Sequence, residues 1–597
     1  MERIETSPGG VFAEYTAGAN YKSSLGSRGM YEQNKINERF YAGDQWHGAQ
    51  CGTDRPLVRH NVIKRIGDYK TAIVGASPVT VNYTADGVPN TVGLRERADA
   101  VRQEVAMSGQ MPMIEDSAEE ITVMTNALSD YFRTTAERLK FDDLRQEVLR
   151  KSYISGTGVL YTWWDDRIET GLYADEGQTQ PIKGDIKSAV IDIENVYFGD
   201  PNQPEIQEQP WIIISQRRSV AELRREARRN RRPSEEIARI VPDRNTAYQS
   251  GDRAENEPEG SQKTVCLTKL YKVWDKEGDG YRIKAVKVTE TATIRPEWDL
   301  NLRLYPLAKF EWERRASCAY GDSEITWLVP NQIAINRMLT ASVWACMMMG
   351  MPIMVVNGDI VTQPVTNDPA QIIKINGGVD DVQTAIRYVQ PPSFGAQFDS
   401  LTSSLIQGTL TQAGANDAAL GDVRPDNTSA IIAVREAATM PLQSAQNRFY
   451  SFCEDVARIW ADFWVHMYGV RSLKIEDSSG TWYMPFDGEK YKNLLLSVRV
   501  DVGAAGLWSE IQSVQTLDNL LERQIIDVVQ YLERMPKGVI PDLQGLLKDI
   551  KSAQEAEAAI PDNVLNALTP EERAMYDSLP PEIQSQMMAT ALGGAKQ

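Results

Sequence analysis

The side chains that could carry out chemistry are few and scattered in this chain of 597 residues. Its three histidines, His47, His60 and His466, lie outside any HExxH motif and away from cysteines at ligand spacing, so no metal site is expected. Its five cysteines form no CxxC pair, which argues against a zinc ribbon or a disulfide framework and suits a reducing cytosol. They are Cys51, Cys266, Cys318, Cys346 and Cys453.

Short catalytic motifs are missing as well. The sequence has no GxxxxGK(S/T) phosphate loop, which argues against an ATPase, and no GxSxG nucleophile elbow. Gly156 and Gly158 form a GxG without a third glycine, which favours a helix-to-strand turn. The carboxylate pairs are adjacent in sequence, and adjacent side chains point apart in a helix or strand. We therefore expect no enzyme and no cofactor; the pairs considered are Asp142-Asp143, Asp165-Asp166 and Asp380-Asp381.

The strongest basic feature is a cluster of arginines between residues 217 and 232. Glutamates at 222, 226, 235 and 236 interleave with it at helical spacing, which favours a solvated helix face with Glu–Arg pairs. The alternative is a contact with an acidic partner or with packed DNA. The cluster consists of Arg217, Arg218, Arg224, Arg225, Arg228, Arg229, Arg231 and Arg232.

The formal net charge of −18 restricts the ways in which this chain could handle nucleic acid. Proteins that grip DNA neutralise its phosphates with Lys and Arg, whereas this chain would repel DNA at long range. It either ignores nucleic acid or guides DNA without holding it. The N-terminal sequence MERIETSPGG lacks the apolar stretch of a signal peptide, so assembly inside a cell is expected.

Residues 338–358 carry no charge, so a transmembrane helix has to be considered. Gly350, Pro352 and the lack of a flanking Lys/Arg cluster argue against it. Four methionines between positions 347 and 351 favour an adaptable packing surface. We expect a helix that is buried against neighbouring subunits.

Hydrophobic periodicity predicts a mixed α+β fold class. In the first 320 residues, alternating and continuous apolar runs indicate strands around a few helices. A capping box of Ser219 and Glu222 is predicted to open the last of these helices. The predicted helices are 31–45, 62–73, 117–154 and 220–229, the predicted strands are 79–83, 159–166, 189–199, 211–218, 264–274 and 281–290, and 242–262 is predicted to be an exposed loop.

The second half alternates long helices with shorter β segments. Residues 428–468 form the longest helical pattern, with its apolar positions on one face and a kink expected at Pro441. The other predicted segments are a helix at 322–350, a β segment at 351–392, a helix at 393–412, a mobile loop at 413–427, a β section at 471–502 and helices from 509 onward.

Three extended stretches carry a resemblance to a known family. They are FYAGDQW (40–46) with RPLVRHNVIKRIGDYKTAIVGASPVTV (55–81), the stretch 191–230, and AYGDSEITWLVPNQIAINRMLTAS (319–342). These stretches resemble portal proteins of tailed bacteriophages, and the remainder is similar to the family in its order of elements. The resemblance implies a ring, usually of twelve subunits, around the channel through which double-stranded DNA enters and leaves the capsid.

The resemblance also implies a portal fold with wing, stem, clip and crown layers, in a ring-shaped homo-oligomer. The long kinked helix would be the spine that joins channel to wing. The implied boundaries are a wing at 1–320 with return strands at 469–507, stem helices at 321–350 and 393–412, a clip at 351–392, a tunnel loop at 413–427, the spine at 428–468 and a crown at 508–597.

Particular residues follow from this assignment. The tunnel loop would face DNA with a flexible, mildly charged chain that lacks an aromatic stacking platform, so passage would not depend on base sequence. Its DNA-facing residues would be Gly414, Asn416, Asp417, Gly421, Asp422, Arg424, Asp426 and Asn427. The clip surface for neighbouring subunits and partners would be Val361, Gln363, Pro364, Lys374, Asn376 and Arg387, and the stem would pack through Trp344, Met347 and Met348.

The implied partners are other copies of the chain, double-stranded DNA, the terminase large subunit, the head–tail adaptor, and the major capsid and scaffolding proteins, with no membrane. The implied location is the portal vertex of the virion, after assembly in the bacterial cytoplasm. Twelve copies would carry about −216 charges (12 × −18), which disfavours tight phosphate contacts in a conduit. The alternatives are another non-enzymatic connector or capsid component, a membrane pore through 338–358, and a nuclease acting through scattered carboxylates.

Overall fold

The computed structural model describes most of the first 500 residues and a few segments beyond them. The chain divides into two compact units, one made of Met1–Glu476 with Thr481–Asp501 and the other of Asp477–Gly480 with Val502–Gln597. Helices and strands are mixed, so the predicted α+β class is confirmed. The described ranges are 4–48, 56–85, 97–98, 100–102, 104–105, 117–173, 181–243, 262–275, 280–349, 353–361, 363–364, 372, 374, 376, 386–389, 396–415, 440–477, 480–492, 496–501, 507–523, 526–533, 535, 546 and 550.

The three N-terminal helices begin and end at residues suited to those positions. The Ser7 hydroxyl accepts a hydrogen bond from the Gly10 amide at 3.2 Å, with Pro8 at the first helical position. Gly43 ends the second helix in the left-handed conformation, at φ 92°. Asn61 caps the third by accepting from the Lys64 amide at 3.0 Å. These helices are α1 (Pro8–Ser24), α2 (Met30–Ala42) and α3 (Val62–Val74), followed by strand β1 (Thr80–Ala85).

The predicted helical block 117–154 is two helices, α4 (Ser117–Leu139) and α5 (Phe141–Ser155). They are separated by Lys140, which adopts the left-handed conformation at φ 52°. At the end of α5, Gly156 has φ 84°, and a Cβ there would lie 2.2 Å from the Gly321 carbonyl oxygen. Only glycine fits this position, and the helix-to-strand turn predicted from GxG is confirmed.

Two antiparallel sheets form the β-rich part of the first unit. The three-stranded sheet has the order β3-β2-β9, and the five-stranded sheet runs β4-β5-β6-β7-β8 in sequence order. The strands are β2 (Thr157–Tyr173), β3 (Pro181–Asp192), β4 (Val196–Phe198), β5 (Trp211–Ser219), β6 (Lys263–Asp275), β7 (Gly280–Val288), β8 (Thr293–Asp299) and β9 (Leu307–Glu311).

The continuous apolar run of β5 is explained by burial on both faces of its sheet. Ile212 and Ile214 belong to one hydrophobic cluster, whereas Ile213 belongs to another that contains Val11 and Tyr15 of α1. Helix α1 therefore covers one face of the five-stranded sheet.

Helix α1 is fixed to this sheet by a buried lysine. Lys22 is 0% exposed, and its Nζ donates to the carbonyl oxygens of Ile193, Glu194 and Val196 at 2.7, 3.0 and 2.6 Å. The ammonium also lies 3.8 Å from the centroid of the Tyr197 ring, a cation–π geometry. Burial lowers the pKa of Lys22 well below its ordinary value, but three acceptors need three N–H donors, which only the ammonium provides.

Helix α6 (Val220–Arg229) follows β5 directly, and the short helix α7 (Ser234–Ala238) comes after it. Ser219 occupies the N-cap position, but its side chain makes no capping hydrogen bond, so the predicted capping box is wrong. Glu222 lies instead 3.6 Å from the Arg218 guanidinium. This ion pair draws the carboxylate away from the N-cap.

The second half of the first unit is built on long helices. These are α8 (Ile325–Met349), α9 (Ala396–Gln412) and α10 (Gln443–Met467), with strands β10 (Ile353–Val356) and β11 (Ile386–Val389) between α8 and α9. After α10 come β12 (Val470–Asp477), β13 (Gly480–Asp487), α11 (Gly488–Tyr491) and β14 (Leu496–Asp501), and β14 pairs with β1.

The apolar face predicted for α10 is confirmed over the described part of that helix. Trp460 lies at its centre, with the Phe132 and Phe141 rings at centroid distances of 5.0 and 5.4 Å. Pro441 lies in a single 3₁₀ turn, Met440–Leu442, directly before α10, and residues 428–439 lie outside the described ranges. Of the residues predicted to form this face, Met467 is partly buried and the others are buried: Phe449, Phe452, Cys453, Val456, Ile459, Trp460, Phe463 and Trp464.

In the second unit the described helices are α12 (Leu507–Glu522) and α13 (Val528–Glu533). The Tyr531 hydroxyl donates to the Asp518 carboxylate at 2.6 Å and so joins the two helices.

Candidate functional site

Helix α8 is the most unusual element of the predicted site because Arg337 is its only charged residue. Ser323 stands before its first turn, where its hydroxyl accepts from the Ile325 amide at 3.2 Å and donates to the Tyr153 carbonyl at 2.7 Å. Glu324 forms a buried ion pair with Lys70 of α3 at 2.5 Å. These contacts anchor the beginning of α8 in the core of the first unit.

The other end of α8 carries the residues predicted to pack the stem. Met347 is 62% exposed, and Trp344 is partly buried. Met348 lies on the helix, but its side chain is outside the described part. The predicted packing of these residues against a neighbouring subunit remains a prediction.

Helix α9 packs antiparallel to α8. The Asn331 amide in the second turn of α8 donates to the Thr409 hydroxyl, near the end of α9, at 3.4 Å. Leu405 and Leu410 of α9 join the same hydrophobic cluster as Ile335 of α8. The described exposed residues of α9 are almost uncharged: Asp399, Ser400, Leu401, Ser403, Ser404, Gln407, Gly408, Thr411 and Gln412.

Strands β10 and β11 form a two-stranded antiparallel ladder between these helices. Arg387 lies opposite Val355 in this register. Val361 is buried and its amide donates to the Asn357 carbonyl at 2.9 Å, while the Asn376 amide donates to the Ile360 carbonyl at 2.9 Å. The remaining predicted clip residues, Gln363, Pro364 and Lys374, are exposed.

The predicted tunnel loop begins at the end of α9. Gly414 adopts φ +71°, and the Ala415 amide donates to the Leu410 carbonyl at 2.9 Å, which closes the last turn. The other predicted loop residues lie outside the described ranges: Asn416, Asp417, Gly421, Asp422, Arg424, Asp426 and Asn427.

A segment without regular secondary structure, residues 56–61, is hydrogen-bonded along α8 by three polar side chains spaced four residues apart. The Thr340 hydroxyl accepts from the Val58 amide at 3.1 Å, and the Asn336 oxygen accepts from the His60 amide at 3.2 Å. Gln332, 1% exposed, donates to the His60 carbonyl at 2.6 Å. These three side chains, here called the polar ladder, couple α8 to the N-terminal half of the unit. Their spacing is visible in the sequence, but their partner segment is not.

Replacing Asn336 with alanine should release the middle of this segment. The substitution removes the acceptor of the His60 amide and the 2.6 Å bond from Asn336 to Gln45, leaving buried polar groups unpaired at a cost of about 1–3 kcal/mol. The backbone amide hydrogen of His60 should therefore exchange with solvent faster than in the unmodified protein. Arg337→Ala, at the next and exposed position, is the matched control, and equal exchange in the two variants would contradict the coupling.

Three of the groups considered for catalysis, His466, Cys266 and Cys453, are held in partly or fully buried surroundings. The Asp462 carboxylate, 3.0 Å from His466 Nδ1, also accepts from the backbone amides of Arg303 and Leu304 at 2.9 and 3.0 Å. Burial raises the pKa of Cys266 to about 11 and that of Cys453 to about 12, so neither thiol ionises near neutrality. Within the described ranges no group of three or more His, Cys, Asp or Glu side chains is placed to hold a metal ion.

A cleft of about 940 Å³ lies between the two β-sheets of the first unit. Tyr161 and Trp163 stack on one wall, with ring centroids 5.7 Å apart. Lys287, on the opposite sheet, is paired with Glu226 at 2.8 Å. The charges of this cleft are largely paired within the protein, as in a structural seam between sheets.

Comparisons with other proteins give no independent assignment: no family model matches the chain, and no curated protein matches it. In the described part of the chain, no helix has the length and apolar character needed to cross a bilayer.

Proposed function

We propose that this chain is the portal subunit of a tailed bacteriophage. Copies of it would form a ring, usually of twelve in this family, around a channel at one capsid vertex. Double-stranded DNA would pass through the channel during packaging and ejection without base-specific contacts. The observation that carries the proposal is helix α8, which is nearly uncharged yet leaves large apolar side chains exposed.

Two of these side chains lie on opposite sides of α8. Trp327 is 67% exposed and Met347 is 62% exposed. They are 20 residues apart, which at about 100° per residue places them roughly 200° apart around the helix axis. A cyclic ring uses two different patches of each subunit, one for each neighbour. Apolar groups on both sides of one helix fit such an arrangement.

The surroundings of α8 support the same proposal. The chain leaves α8 through a small β-ladder and returns in α9, which is followed by a turn at Gly414. This is the order of stem, clip, stem and tunnel loop that the resemblance implies. The exposed residues of α9 offer no cluster of cations for phosphates, as suits a surface past which DNA slides.

The partners in this proposal are those of the family: the terminase large subunit and later the head–tail adaptor at the clip, and capsid and scaffolding proteins around the ring. The ring would be assembled in the host cytoplasm and built into the virion. The chain would act as a structural conduit and would not be an enzyme.

Native mass and negative-stain images of the detergent-free protein should show rings of about a dozen 66.8 kDa subunits around a hole wide enough for duplex DNA. Trp327→Glu and Met347→Glu should each abolish the rings because each damages one side of the repeating interface. Arg337→Glu, on the same helix, is the control and should leave them intact.

A mixture of the two defective variants provides a sharper test. One intact interface remains between a Met347→Glu subunit and a Trp327→Glu subunit, so the mixture should yield heterodimers and no rings. Rings from either single variant would contradict this role of α8. A protein that forms closed shells, or one that is extracted only by detergent, would favour a capsid component or a membrane pore.

A further inference from the structure

The structure divides the arginine cluster into two groups of four. The inner group is paired within the protein. Arg217 lies 2.9 Å from Asp243, Arg218 lies 3.5 Å from Glu226, Arg224 donates to the Ile240 carbonyl, and Arg232 pairs with Glu236. The outer group is exposed and forms no ion pair among the described residues; it consists of Arg225, Arg228, Arg229 and Arg231. Of the eight arginines, only Arg218 and Arg232 form, within the described part of the chain, the Glu–Arg pairs predicted from the sequence.

The outer group lies along the last turns of α6 and in the turn that follows the helix. Arg225, Arg228 and Arg229 have the i, i+3, i+4 spacing of one helix face. Arg231 adopts φ 55°, and the next amide, that of Arg232, donates to the Ala227 carbonyl at 3.0 Å. This turn ends the helix, and Arg231 lies exposed within it, two residues after Arg229.

Helix stability alone does not account for this arrangement. Arg228 and Arg229 lie in the last turn, where cations offset the partial negative charge of the helix C-terminus. Arg225 lies one turn earlier and Arg231 lies beyond the helix. Like charges at helical spacing repel one another, so the placement of Arg225, Arg228 and Arg229 on one helix face is slightly unfavourable in the free protein. A surface of this kind fits an anionic partner.

The chemistry around the outer group favours a nucleic-acid backbone over a protein. Stable protein interfaces have a buried apolar or aromatic centre, whereas phosphate-binding surfaces are polar and strongly positive. The larger apolar residues of α6, Val220 and Leu223, and also Ala227, face the core, which leaves Ala221 as its one exposed apolar residue. The exposed neighbours are Ala221, Glu222, Pro233, Ser234 and Glu235.

We propose that Arg225, Arg228, Arg229 and Arg231 bind the phosphate backbone of double-stranded DNA without reading its bases. A guanidinium matches two phosphate oxygens, which makes arginine suited to this contact. Asn230, the amide side chain within the group, donates to the Ile294 carbonyl at 3.3 Å instead of facing solvent. At physiological salt, charges are screened over about 8 Å, so this surface acts locally in spite of the net charge of −18. The binding surface lies on α6, outside the α8–α9 pair, and does not depend on the proposed portal function.

The test is binding of a fluorescent 20-base-pair duplex to the full-length protein, measured by anisotropy across a salt series. Four phosphate contacts give a slope of log K against log salt of about −3.6 (4 × −0.9), so affinity should fall roughly 150-fold from 50 to 200 mM salt. Changing all four arginines to Gln should weaken binding at least tenfold at 50 mM and flatten the slope by about 3.6. Ring formation is scored separately by native mass on the same samples.

The matched control changes four other exposed cations to Gln: Lys64, Arg65, Arg499 and Arg523. Both variants shift the net charge by −4 (4 × −1), so the control should retain binding within about twofold. Three results would overturn the proposal: no duplex binding by the unmodified protein at 50 mM salt, equal weakening in the two variants, or displacement of the duplex by poly-glutamate as readily as by unlabelled duplex. The last result would point to an acidic protein partner. If the quadruple variant misfolds, the double variant R228Q/R229Q provides the same test. It should change the slope of log K against log salt by about half as much.

Discussion

Replacing Trp460 with alanine should lower the free energy of unfolding of the first unit by about 3–5 kcal/mol. Trp460 is 0% exposed on α10, and its ring contacts Phe132 of α4 and Phe141 of α5. Its Nε1–H points to the Thr162 hydroxyl of β2 at 3.4 Å. The substitution therefore leaves a cavity where α4, α5, α10 and the sheet that contains β2 meet. Urea denaturation followed by far-ultraviolet circular dichroism measures the shift in midpoint.

Trp274→Ala is the comparison for this substitution. It removes the same side chain from β6, where the ring is 40% exposed and makes an edge contact with Tyr281 at 5.0 Å between centroids. We expect a loss of about 1 kcal/mol there. Equal midpoints for the two variants would show that α10 does not organise the core.

Replacing Lys22 with alanine should detach α1 from the five-stranded sheet. Three buried carbonyl groups, those of Ile193, Glu194 and Val196, lose their donor at once. Each unpaired buried group costs about 1–3 kcal/mol, and we expect about 3–5 kcal/mol after relaxation. Hydrogen exchange should show the loss of protection in residues 8–24 before any change in α10.

Two further variants isolate the cause of this effect. Unlike alanine, the methionine of Lys22→Met supplies an apolar side chain in place of the lysine stem, but it supplies no N–H donors. Most of the loss of free energy and of hydrogen-exchange protection should therefore persist. Lys64 is an exposed lysine on α3, so Lys64→Ala should change the free energy of opening that hydrogen exchange measures for α1 by less than about 0.5 kcal/mol. If Lys22→Met protects α1 as well as the native residue does, packing of the stem, and not hydrogen bonding, holds the helix.

Local signals in the sequence were sufficient for many of the elements. Gly43 marks the end of α2, and the apolar run Ile212–Ile214 marks a strand buried on both faces. The apolar face of α10 identifies the central helix. In each case the signal lies within one helix or strand, because periodicity and end residues are local properties.

Helix breaks and contact partners that depend on distant parts of the chain were not predictable from the sequence. Lys140 interrupts the block 117–154 without a glycine or proline, at the point where Phe132 and Phe141 close on Trp460 from two helices. For the candidate site, α8, α9 and the β-ladder were predicted as elements. The polar ladder was not, because its partner segment lies about 270 residues earlier in the sequence. The sequence around Lys22 likewise does not distinguish it from an exposed lysine. Only the arrangement of carbonyl groups in the folded protein explains its burial.

The pairing of β1 with β14 constrains the order of events during synthesis on the ribosome. Thr80 lies opposite Asp501 in this ladder, so β1 is made about 420 residues before its partner (501 − 80). At about 5–20 residues per second, the nascent chain carries β1 for roughly 20–80 seconds with its edge unpaired. Val81 and Tyr83, both buried in the finished unit, have no β14 to pair with throughout that interval. The first unit can therefore close only after residue 501 has been made, and until then the edge of β1 is open to pairing with other strands.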